Sequence, residues 1–139
     1  MPADTASTIH VLIVDDDEEI RNGLRWIIDN TDGFHCVGTY PMCADAVKNL
    51  DNDVPDVILM DIGLPEKSGI ECTRQIKAVF PSVQILMLTV YSEEEKIFES
   101  LRAGAVGYIL KKTPPAKLLD AIREAENGGA PMSGEVARK

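Results

Sequence analysis

The sequence has no apolar run long enough to cross a bilayer; its longest, such as Val11 to Val14 and Val57 to Met60, fall far short of the ~20 residues a membrane helix needs. Met1 to Thr8 carry neither a basic residue nor an apolar stretch, so both parts of a secretory signal are missing and residues 1–8 are expected to be a disordered tail. Basic residues are outnumbered: 14 Lys plus Arg against 23 Asp plus Glu give a net charge of −9, which repels nucleic-acid phosphates and anionic membranes. Cysteine is sparse. Cys36, Cys43 and Cys72 are odd in number and form no CxxC pair, so they read as small buried or half-buried thiols in a reducing cytoplasm, and a disulfide framework or zinc site is the poorer reading. There is no GxxxxGK[ST] loop for a nucleotide, and His10 and His35 stand alone on strands without a partner at useful spacing.

What is present is a chain of 139 residues, 45% apolar and 27% charged, which suits one compact domain with a buried core. Short apolar runs alternate with amphipathic stretches five times, the pattern of βαβ units and a parallel sheet. Strands are expected at Ile9 to Val14, Phe34 to Thr39, Asp56 to Met60, Val83 to Leu88 and Val106 to Leu110. The first helix carries Ile20, Leu24, Ile27 and Ile28 on one stripe and ends at Thr31-Asp32-Gly33. A second covers Ala44 to Leu50, and a third, capped near Ser68, carries Ile70, Ile76 and Val79. Ser92 ahead of Glu93 to Glu95 is expected to cap the fourth, which Gly104 ends. Pro114-Pro115 opens the fifth, with Leu118, Leu119, Ile122 and Ala125 inward.

Strands joined by right-handed helical crossovers are parallel, so their carboxyl ends share one edge, where ligands bind in open α/β sheets. Asp15, Asp16 and Asp17 follow the first strand, Asp61 the third, Thr89 the fourth and Lys111 the fifth. Carboxylates gathered in one crevice need a proton or cation between them, and magnesium, which favours oxygen ligands and retains waters, suits a shallow site of this kind. A run such as Asp15 to Glu19 also serves as a solvated helix start, and Asp17, Glu18 and Glu19 fit that plainer role. It does not account for Asp61, at the end of an apolar strand in another unit, or for the ammonium of Lys111.

Val-Asp-Asp at 14 to 16, Asp61 with Pro65 and Gly69 behind it, Thr89, and Tyr108 three residues before Lys111 resemble the receiver domains of two-component response regulators. The resemblance runs from Ile9 to about Asn127. It implies a flavodoxin-like doubly wound (βα)5 fold with strand order 2-1-3-4-5, and a phosphoacceptor module that is not an enzyme beyond self-catalysed phosphorylation and slow autodephosphorylation. By this resemblance Asp61 is the phosphoacceptor, and Asp15, Asp16, Asp61 and the backbone carbonyl of Gly63 hold Mg2+. Thr89 and Lys111 contact the phosphoryl oxygens. Thr89 and Tyr108 form the switch, the tyrosine ring turning inward as the threonine hydroxyl swings toward the phosphoryl group.

Two departures from the family pattern stand out. Lys112 and Thr113 intervene between Lys111 and Pro114, where many receivers place proline directly after the lysine. Gly63, two residues after the acceptor, has no side chain to guide water, whereas Tyr91, two after Thr89, is bulky and is expected to slow hydrolysis of the phosphoaspartate.

Met132 to Lys139 starts what reads as a further capped helix. Together with Gly107 to Lys112 and Asn127-Gly128-Gly129, it resembles the receiver-to-linker segment of NarL/LuxR-type transcription factors. That resemblance implies a receiver at 9–127, a linker beginning at 128–139 and a downstream helix-turn-helix domain through which alone DNA would be bound. The partners implied are a cognate sensor histidine kinase and a possible homodimer, in the cytoplasm. A stand-alone receiver acting on a protein partner is the alternative. A second class stays open: Asp15 and Asp17 form a D-x-D resembling the nucleophile motif of haloacid-dehalogenase phosphatases, in which Asp15 would be phosphorylated.

Overall fold

A computed structural model describes residues 8–139. The expected N-terminal tail therefore lies, apart from Thr8, outside the described residues. Five strands and six helices alternate: β1 (Ile9–Val14), α1 (Glu18–Asp29), β2 (Phe34–Tyr40), α2 (Cys43–Leu50), β3 (Val57–Met60), α3 (Gly69–Val79), β4 (Gln84–Thr89), α4 (Glu94–Ala103), β5 (Gly107–Leu110), α5 (Pro115–Glu126) and α6 (Gly134–Ala137). The sheet is parallel throughout, in the order β2-β1-β3-β4-β5. Strand order reverses at β1, so β1 and β3 lie side by side with their carboxyl ends flanking the crevice where a doubly wound sheet binds ligands.

The apolar runs read as strands are buried on both faces. Val57, Ile58, Leu59 and Met60 of β3 are each no more than 1% exposed, because helices cover the sheet above and below. One core half includes Leu12, Ile58, Met60, Ile85 and Met87 with Ile76 of α3 and Ile97 of α4; the other includes Val11, Ile13, Leu59 and Leu86 with Ile28 of α1 and Ile122 of α5.

Local chemistry fixes the helix ends. Asp17 caps α1, its carboxylate accepting from the amides of Glu19 at 2.9 Å and Ile20 at 3.3 Å, as the plainer reading of the acidic run expects. Ser68 caps α3 by accepting from the amide of Glu71. Gly104, at φ 117°, ends α4 in the left-handed region, which glycine enters without Cβ strain. Three details differ from expectation. Glu93, not Ser92, occupies the cap position of α4 and makes no side-chain cap bond. Val79 is 66% exposed, because nine residues on from the buried Ile70 it falls on the opposite side of α3. Cys43 and Cys72, read as free thiols, form a disulfide: the first turns of α2 and α3 pack together with a Cα–Cα distance of 5.7 Å, inside bridging range, although 29 residues separate them and no motif marks the pair. Cys36 is a free, buried thiol, as expected.

Candidate functional site at the carboxyl edge of the sheet

Each acidic or hydroxyl residue at this edge is placed by the end of its strand. Asp15 follows β1 directly, its amide donating to the Tyr40 carbonyl at 3.0 Å; Asp61 follows β3, its amide donating to the Val14 carbonyl at 3.0 Å. Thr89 is the last residue of β4, and Lys111 follows β5, its amide donating to the Thr89 carbonyl at 2.9 Å. Sheet hydrogen bonding thus holds in register the four positions expected to share an edge.

Carboxylate oxygens of Asp15, Asp16 and Asp61 all lie within 4.8 Å of one another. Asp15 and Asp61 are buried and Asp16 is exposed, so the group forms a shallow acidic depression open on one side. Lys111 reaches across it, with Nζ 2.7 Å from Asp15 Oδ2 and 3.1 Å from Asp61 Oδ2. Burial alone would lower the Lys111 pKa, but its hydrogen bond to Asp15 and the charge of Asp61 raise it above the ordinary lysine value, so it stays protonated. Asp15 is pushed above the usual carboxylate range, chiefly by burial, and its hydrogen bond to Lys111 offsets only part of that. Oxygen donors at this spacing, with one buried carboxylate short of compensation, fit a small hard divalent cation.

Further residues shape the rim. Asp15 also accepts from the Asp17 amide at 2.9 Å, and the Arg21 guanidinium donates to its carbonyl at 2.8 Å. Asp61 Oδ1 accepts from the amide of Ile62 at 2.8 Å. Gly63 lies in the following loop, and a Cβ placed there would come within 3.3 Å of the Tyr91 hydroxyl, so the Tyr91 ring leans toward that loop. Lys96 Nζ sits 5.1 Å from the centre of that ring.

Thr89 is fully buried, and its Oγ1 has no hydrogen-bond partner among the described residues. An unpaired buried hydroxyl costs free energy unless something polar meets it. Tyr108 is 0% exposed, ring inward, and its hydroxyl donates to the Tyr91 carbonyl at 2.8 Å. Burial first, then the charges of Glu93 and Asp61, raise its phenol pKa well above normal. The peptide after Lys111 is trans, as are all others among the described residues.

Sequence reasoning missed two contacts. One is the Tyr91 carbonyl as the anchor of Tyr108, since a main-chain acceptor leaves no residue signature. The other is Gly69, recognised only as part of a pattern. A Cβ on Gly69 would lie 1.8 Å from the Asp61 carbonyl oxygen, and its amide donates to the Ile62 carbonyl at 2.9 Å, so the start of α3 is pressed against the loop that begins at Asp61.

The chain belongs to the response regulator receiver domain family, whose model matches residues 11–123. It is similar to the uncharacterized transcriptional regulatory protein YxjL of Bacillus subtilis strain 168, 41% identical over 131 residues, covering 94% of this chain and 60% of that protein. The chain thus spans about three-fifths of the length of the curated relatives it matches. Among solved structures it resembles a LuxR-family two-component response regulator from Aurantimonas sp. SI85-9A1, with a TM-score of 0.89, 32% identity, and coverage of 95% of this chain and 94% of that one. It also resembles the isolated receiver domain of RcsB from Salmonella enterica serovar Typhimurium, solved with phosphomimetic BeF3-, with a TM-score of 0.86, 25% identity, and coverage of 94% and 97%. The family is one of signalling proteins that are generally not enzymes. No helix among the described residues is long and apolar enough to cross a membrane.

Proposed function

We propose that this chain is the phosphoacceptor module of a two-component response regulator, with Asp61 as the acceptor. One observation carries the reading: carboxylates following β1 and β3 and the ammonium following β5 converge within hydrogen-bond reach of one another at a single sheet edge. Asp15, Asp16, Asp61 and the Gly63 carbonyl would hold Mg2+, which when bound neutralises the acidic group and screens the charge of an incoming phosphoryl group. In the reaction, Asp61 Oδ attacks phosphorus, the donor's bond to phosphorus breaks, and the leaving group departs with a proton from solvent. In this reading Lys111 meets the phosphoryl oxygens, and the unpaired Thr89 hydroxyl donates to one of them.

Engaging the Thr89 hydroxyl would favour the inward Tyr108 ring and fix the β4–β5 face, biasing an output. The donor in this reading is a cognate sensor histidine kinase in the cytoplasm. The output is a downstream helix-turn-helix domain, as the transcriptional relatives suggest; a stand-alone receiver acting on a protein partner is the alternative. The aspartate-phosphatase reading is the weaker one, because Asp17 uses its side chain to cap α1.

Incubation with acetyl phosphate, with and without Mg2+, tests the reading by intact mass and site mapping. Modification of Asp61 that requires Mg2+ and disappears in Asp61→Asn is expected. Label on Asp15 would favour the phosphatase, and no label with Mg2+ present would remove the proposal.

A further inference from the structure

The Cys43–Cys72 pair takes no part in the acidic site, and its two halves are not equivalent. Both residues are buried, at 3% and 0% exposure. Cys43 lines a cleft between α2 and the loop joining β3 to α3, and Cys72 does not border it. The same cleft is walled by Lys48, Lys67, Glu66 and Gln75, two ammonium groups against one carboxylate. Lys67 donates to Gln75 Oε1 at 2.5 Å, and that oxygen lies 3.9 Å from Cys43 Sγ, so the ammonium sits one amide group away from the sulfur. Cys43 is also the first residue of α2, and the cap residue Met42 supplies no side-chain bond there. The start of a helix favours the thiolate form of a cysteine so placed, and the two ammonium groups of the cleft favour an anionic partner.

We propose that Cys43–Cys72 is a reversible thiol–disulfide exchange site, entered at Cys43 from this cleft by a small thiol bearing carboxylate groups. In the reducing direction the incoming thiolate attacks Cys43 Sγ, the Sγ–Sγ bond breaks, and Cys72 leaves as a thiolate that takes a proton. A second thiolate then attacks the incoming sulfur of the mixed disulfide and releases Cys43. The net change is two small thiols oxidised to their disulfide and one protein disulfide reduced to two thiols. In the oxidising direction a small disulfide is the oxidant, Cys43 is the nucleophile and Cys72 resolves the mixed disulfide. Because Cys72 lies in the first turn of α3, and Gly69 at the start of that helix abuts the Asp61 carbonyl, the bond braces the acceptor loop against α2. The exchange does not depend on the phosphoryl reading, and its test leaves that reading untouched.

Equilibrating the chain in buffers of graded reduced-to-oxidised glutathione, followed by denaturing alkylation and mass spectrometry, tests the site. One label, on Cys36, is expected at the oxidising end and three at the reducing end, with the change reversible. Cys72→Ser, or Cys72→Ala should the serine prove unstable, should trap glutathione on Cys43. Glutathione should exchange faster than 2-mercaptoethanol at equal thiolate concentration, and Lys48→Gln with Lys67→Gln should cut that advantage about threefold, as expected for two exposed charges. Three labels in every buffer, trapping on Cys36 in place of Cys43, or an advantage unaffected by the lysine variants would each overturn the proposal.

Discussion

Gly69→Ala is the most demanding perturbation the structure suggests. A methyl group there would sit 1.8 Å from the Asp61 carbonyl oxygen, 2.7 Å from its carbon and 3.0 Å from the Ile62 Cα. All three obstacles are main chain, so no rotamer change relieves the clash. Either α3 retreats, giving up the bond from the Gly69 amide to the Ile62 carbonyl, or the Asp61 peptide turns. Overpacking a core with one methyl costs about 1–3 kcal/mol, and an immovable neighbour places this site at or above the upper end. For a domain of this size ~3 kcal/mol lowers Tm by about 10 °C. Gly23→Ala is the matched control: it lies inside α1 with nothing within 4 Å of the added Cβ, and replacing glycine in a helix interior should stabilise by about 0.5–1 kcal/mol. Urea denaturation of the two variants, with acetyl phosphate labelling of Asp61 in Gly69→Ala, measures both effects. Equal midpoints for Gly69→Ala and the parent would refute the claim that α3 is seated against the Asp61 main chain.

Lys111→Met leaves the Asp15 and Asp61 carboxylates, 3% and 8% exposed, facing each other without their shared cation, at a cost of about 3 kcal/mol. Added Mg2+ should raise Tm more in this variant than in the parent, as differential scanning fluorimetry would show. Tyr91→Ala removes the ring leaning toward Gly63 and should shorten the lifetime of phosphorylated Asp61 severalfold; an unchanged decay rate would end that role for Tyr91. Tyr108 is held protonated by burial, so its folded pKa lies above its unfolded value of about 10. Its contribution is complete below that pH and is lost as pH rises toward the folded pKa, so Tyr108→Phe should flatten the fall in urea midpoint above pH 10. Gly107→Ala places a Cβ 2.3 Å from the Pro131 carbonyl and should speed amide exchange at Tyr108, whose N–H that carbonyl accepts at 3.0 Å.

Most of the sheet was legible because a fully covered parallel strand must be apolar on both faces, and few other elements give runs as short and continuous as Val57 to Met60. Topology then carried Asp15, Asp61, Thr89 and Lys111 to one edge with no further information. What escaped were features that depend on distance across the fold. Nothing in the local pattern says that the Cys43 and Cys72 sulfurs meet, since only the packing of α2 on α3 decides it. The end of α4 was visible in Gly104, but its start lies one residue beyond the one Ser92 indicates, at Glu93, whose side chain makes no cap bond that a sequence motif could mark. The acceptor of the Tyr108 hydroxyl, the Tyr91 carbonyl, is main chain and was equally silent.

Residues 130–138 fold back along the outer side of β5. Pro131 accepts from the Tyr108 amide, the Ser133 amide donates to the Tyr108 carbonyl at 3.2 Å, and the Ser133 hydroxyl accepts from the Leu110 amide at 2.9 Å. Val136 is buried at 2% exposure. A protein shortened at Asn127 would therefore bare a row of unmatched peptide groups along its last strand, an invitation to self-association. Versions made for crystals or spectroscopy should retain these nine or so residues to remain monodisperse.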